Sequence, residues 1–108
     1  MENVKIISVL TILGLLVFTN CSKPKNSSTV SSLYTPTTTD VTPNATLAEL
    51  QSGRTLYIAN CGTCHNLYSP DAYSTSQWKT ILSNMTPKTS LNSSDVLLVT
   101  KYVCRGKQ

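Results

Sequence analysis

Charge is scarce in this chain of 108 residues: only 13% are Asp, Glu, Lys or Arg, and the formal net charge is +4. No basic run stands out. A nucleic-acid surface needs Lys and Arg clustered on one face, so nucleic acid is not an expected partner. Histidine is scarcer still, with His65 alone, which disfavours an enzyme that needs one histidine to hold a metal and another to move protons. A membrane-crossing run is also missing, because the apolar stretch from Ile6 to Phe18 falls short of the about 20 residues a spanning helix needs. Preceded by Lys5, that stretch reads instead as the core of a secretory signal over residues 1–20.

Cys21 closes the signal. A cysteine in that place resembles the bacterial lipobox, whose cysteine receives a diacylglyceryl group and becomes the mature N-terminus. Phe18-Thr19-Asn20 departs from the usual Leu, small, Gly/Ala pattern. An uncleaved anchor or ordinary cleavage nearby are the alternatives, and either leaves an exposed thiol in an oxidising compartment. All three place the remainder outside the cytoplasm. The expectation is a head anchored by lipid to a membrane of the bacterial cell envelope, facing the periplasm. Residues 21–45 are mostly Ser, Thr, Pro and Asn, with isolated Val30, Leu33, Tyr34 and Val41. So little apolar surface predicts a flexible tether, with a reach of roughly 25–30 Å as a random coil.

Residues 46–108 carry the foldable pattern. Thr46 and Glu49 form a capping box opening a first helix to about Asn60, with Leu47, Leu50, Arg54 and Tyr57 on one side. A second helix follows the Ser74/Gln77 box, flanked by Tyr73 and Trp78 in staple positions. Trp78, Ile81, Leu82 and Met85 recur at the spacing of one helix face, and Pro87 ends the run. Asn92 and Asp95 cap a third helix running from Ser93 to about Cys104, with Leu98, Val99 and Tyr102 as its inner stripe.

Cys61-Gly62-Thr63-Cys64-His65 is the chain's chemical centre. Two thiols three positions apart can each add across one vinyl group of a haem, and the adjacent imidazole reaches the iron. Three other readings use the same residues. A thioredoxin-like pair needs a preceding strand, where this chain has a helical pattern. A structural zinc site could combine Cys61, Cys64, His65 and Cys104, although adjacent Cys64 and His65 point awkwardly at one small ion. A plain disulfide leaves His65 without a role. With a haem in place, the Trp78, Ile81, Leu82 and Met85 face would lie on the porphyrin. Met85 is the only methionine left once the signal is removed and supplies the second iron ligand, with Lys88 or an open site as alternatives. Cys104 receives no role beyond a small buried hydrophobe or an intermolecular disulfide.

Gly53-x-x-Leu56-Tyr57 followed by the C-x-x-C-H pentapeptide, with the later run through Tyr102, resembles small monohaem class I c-type cytochromes from about Gly53 to Val103. The resemblance implies an all-α, compact three-helix cytochrome c-like domain around one covalent haem c, with first and last helices crossing closely at Gly53. It also implies that the Pro70 carbonyl accepts the second N–H of the His65 ring. The function implied is electron transfer between redox protein partners, without catalysis. A haem-based ligand-binding or sensor module and a structural zinc module are the other readings left open.

Overall fold

Three capping boxes start three helices in the computed structural model, which describes residues 27–108. The expected signal and Cys21 lie outside the described residues. Helix α1 is Leu47–Cys61, α2 is Thr75–Met85 and α3 is Ser93–Val103. At each N-terminus a polar side chain takes an orphan amide: Glu49 N–H donates to Thr46, Gln77 N–H to Ser74 and Asp95 N–H to Asn92. The residue at the third helical position returns the bond, so each start is fixed by sequence neighbours alone. The domain is mostly helical, and no helix among the described residues is long and apolar enough to cross a membrane.

Helices α1 and α3 form the main contact. At Gly53 a Cβ would run into the Leu98 carbonyl oxygen and lie 2.7 Å from its carbon and 2.9 Å from Tyr102 Cβ. Only glycine permits that approach. Around the crossing, Leu50, Val99 and Tyr102 are completely buried, and Lys101 Nζ donates to the Glu49 carboxylate. Helix α2 adds Trp78 and Leu82 to the same core, which Cys104 also joins. The C-terminus then turns back through Arg105 and Gly106, both at positive φ. A Cβ on Gly106 would sit 2.6 Å from Thr42 Oγ1, whose hydroxyl donates to the Gly106 carbonyl.

Residues 27–45 depart from the expected tether. Strand β1, Ser27–Ser28, pairs antiparallel with β2, Leu67–Tyr68, in the register Ser27 to Tyr68 and Ser28 to Leu67. From there the chain runs as a strap over α1 and α3. Leu33 is 4% exposed and belongs to the core, and Pro36 and Ala45 are buried. The Tyr34 ring stacks on Tyr102 at 5.7 Å between centroids, with the Arg105 guanidinium carbon 4.1 Å from its centre. Burial first, then the Asp40 carboxylate, raises the Tyr34 hydroxyl to about 12. The Tyr34 carbonyl accepts from Arg54 Nε at 3.1 Å and from the Tyr102 hydroxyl at 2.8 Å. The physical reason for the correction is that a few apolar residues suffice when a preformed helical surface receives them; the segment needs no core of its own.

Were this strap a tether, truncating Leu33 would change stability by no more than about 0.5 kcal/mol. As a core residue, Leu33→Ala should lower the unfolding free energy by about 2–5 kcal/mol. Urea unfolding measures the difference.

Candidate functional site

Helix α1 ends inside the pentapeptide, with Cys61 as its last residue and Gly62 as its C-cap. The next residues form a turn that places Cys64 and His65 at the surface, both exposed, while Cys61 stays half-buried. All three described thiols are free, so the plain disulfide is not formed. Burial, and secondarily the neighbouring Cys64, pushes the Cys61 thiol up from its ordinary value. Thr63 Oγ1 donates to the Asn60 carbonyl at 3.0 Å, holding the turn on the end of α1.

Beneath this turn lies a cavity of about 450 Å3, within the about 300–1,000 Å3 usual for cofactor pockets. Cys61, Cys64 and His65 line it from one side; Trp78, Ile81, Leu82 and Met85 of α2 line it from the other. Every residue expected from the sequence to meet the cofactor therefore borders this one space, except Pro70. Trp78 is 2% exposed and Leu82 5%, whereas Met85 is 36% exposed. An apolar stripe that opens on a mainly apolar cavity fits a largely apolar occupant. Lys88 and Thr89 close the border beyond Met85.

Pro70 has a different task. Its carbonyl accepts from Trp78 Nε1 at 2.8 Å, because an indole N–H buried in a core must find an acceptor and the turn Pro70–Ala72 supplies the nearest one. The His65 ring finds its partner closer by: Nδ1 lies 2.8 Å from the Asn66 carbonyl. With the proton on Nδ1 that nitrogen donates there, leaving Nε2 free to act as a ligand. The way the loop packs, with the Trp78 indole on the Pro70 carbonyl, accounts for the difference.

Sequence reasoning also missed the aromatic wall. Tyr57, Tyr68 and Tyr73 border the cavity, and the rings run on from His65 to Tyr68, Tyr73 and Trp78 at 5.8, 5.4 and 5.2 Å between centroids. The Tyr57 hydroxyl donates to the Tyr68 carbonyl at 2.8 Å and accepts from the Tyr68 amide at 3.1 Å. That pair of hydrogen bonds ties the loop after His65 to α1. Burial raises the Tyr57 hydroxyl well above the usual tyrosine value, so it remains a neutral donor throughout the physiological range. The signal available beforehand was Tyr57 lying one helical turn before Cys61.

Cys104 takes no part in the site. It is 3% exposed in the core, with its Sγ directed to the Thr75 carbonyl at 4.0 Å. Among the described residues no three His, Cys, Asp or Glu side chains gather as a metal-ligating group, so the Cys3His zinc arrangement is not assembled. The chain matches no protein-family model, no curated protein and no solved structure. The site's chemistry rests on its own residues.

Tyr57→Phe keeps the ring and deletes the clamp, leaving the Tyr68 amide and carbonyl without that partner. The unfolding free energy should fall by about 1–3 kcal/mol, with amide exchange accelerated at 67–68 before it is at the α1–α3 crossing.

Proposed function

We propose that this chain is an exported electron carrier, anchored by lipid at Cys21, that holds one covalent haem c between the C-x-x-C-H loop and α2. One observation carries the reading: Cys61, Cys64, His65 and Met85 border a single, mainly apolar cavity. A haem bound there would supply one-electron chemistry at its iron.

The chain's own residues would do the rest. Cys61 and Cys64 would hold the group covalently, each thiol adding across one vinyl so that sulfur bonds to one carbon and the proton goes to the other. His65 would offer Nε2 to the iron, its ring oriented by the Nδ1 contact with the Asn66 carbonyl. Met85, which borders the same cavity, would offer its thioether as the second ligand. His/Met ligation raises the potential and keeps coordination similar in both oxidation states. Trp78, Ile81 and Leu82 exclude water from the ring, and the pocket carries no second histidine to move protons. That combination favours carrying electrons over catalysis. The partners proposed are other redox proteins of the cell envelope.

Met85→Ala should leave the haem attached, lower the reduction potential and open the ferrous iron to carbon monoxide. The unmutated ferrous protein should bind carbon monoxide poorly. Ready binding by the unmutated protein would mean an open sixth site and would put the haem-based ligand-binding or sensor reading ahead.

A further inference from the structure

The chain that precedes the described residues joins the head at one particular edge. Ser27 and Ser28 pair with Tyr68 and Leu67, the third and second residues after His65, whose backbone lies beside the turn that carries Cys64 and His65. Thr29 and Val30 then form one wall of a second, open cleft of about 420 Å3, whose facing wall includes Gly62, Thr63, Cys64 and His65. Cys21 stands six positions before Ser27, and six extended residues span at most about 20 Å. A coil over 21–45 would let the head turn any side to its anchor. With Leu33 in the core and Tyr34 held by Arg54 and Tyr102, the anchor stays within about 20 Å of this edge.

Charge agrees with that placement. No Asp or Glu occurs between Glu2 and Asp40, or between Glu49 and Asp71, so neither the strap's first part nor the loop brings a carboxylate to the edge. Lys23 and Lys25 fall in the short lead after Cys21, and anionic headgroups attract lysines so close to a membrane. Val30 adds an apolar side chain that is 48% exposed.

From these observations we infer that the head rests with its C-x-x-C-H edge against the surface of an anionic bilayer. This rests on the lipid-anchored electron-carrier reading and deepens it, because the exposed Cys64–His65 edge would then exchange electrons with a partner confined to the membrane.

The test uses the full mature protein, reduced to its ferrous state, on phosphatidylethanolamine/phosphatidylglycerol nanodiscs that contain a gadolinium-chelating lipid. Amide signals of residues 62–68 should broaden several-fold more than those of 46–49, which lie at the other end of α1, about 20 Å away. A Gly/Ser spacer of roughly 20 residues between Asn26 and Ser27, reaching about 25 Å as a coil, leaves the fold untouched and should abolish the difference. Equal broadening at the two ends, stronger broadening at 46–49, no broadening anywhere, or a difference that survives the spacer would overturn the inference. Haem staining of the same sample judges the parent reading separately. A stained band with no broadening bias overturns the orientation alone, and an unstained band overturns haem attachment while the bias still decides orientation.

Discussion

Where α1 crosses α3, the two backbones come so close at Gly53 that any Cβ would overlap the Leu98 carbonyl. A carbonyl within a helix cannot swing aside as a long side chain can, so the contact fixes both position and angle. Replacing a mid-helix glycine by alanine would gain up to about 1 kcal/mol of helix propensity. Overpacking against rigid backbone costs about 1–3 kcal/mol, which makes glycine the better residue here. With the crossing set, Tyr57 meets Tyr102 at 5.7 Å and Trp78 at 6.1 Å between ring centroids. Helix α2 is thereby placed across the end of α1, and the cavity opens between them.

That cavity bears on how so small a domain holds together. Chains of this size bury a marginal core; here Ile81, which packs on the edge of the core, and the more exposed Met85 also border the cavity. In the proposed holoprotein the haem supplies the missing apolar partner. The strap contributes in the same sense: Leu33 and the Tyr34–Tyr102 stack cover helix surface that the three helices leave open. The proposed haem attachment and the docking of the strap would therefore meet at one place, since β1 pairs with the strand that begins two residues after His65.

What was legible in the sequence was local. Each capping box needs residues only three apart, and each appears as expected at Thr46, Ser74 and Asn92. The stripe from Trp78 to Met85 needs one helix face, and the Gly53 crossing needs one residue without a side chain. The strap was not legible because its stability comes from residues far along the chain. Leu33, Tyr34 and Pro36 are isolated among Ser and Thr and have no period; what holds them is Arg54, Tyr102 and Arg105. Pro70 failed for a related reason. Which donor a carbonyl meets depends on how a loop packs, and the buried Trp78 indole takes it while His65 turns to Asn66. The Tyr57 clamp on Tyr68 links a helix to a loop and was equally invisible to periodicity.

The central claim is that Cys61 and Cys64 are used as covalent anchors for a haem, and the mass of the exported chain tests it most directly. Intact mass spectrometry of the protein purified from an envelope fraction under denaturing conditions should give the lipid-modified mature polypeptide plus one haem. The polypeptide mass without that increment, from cells competent to attach haem, would contradict it.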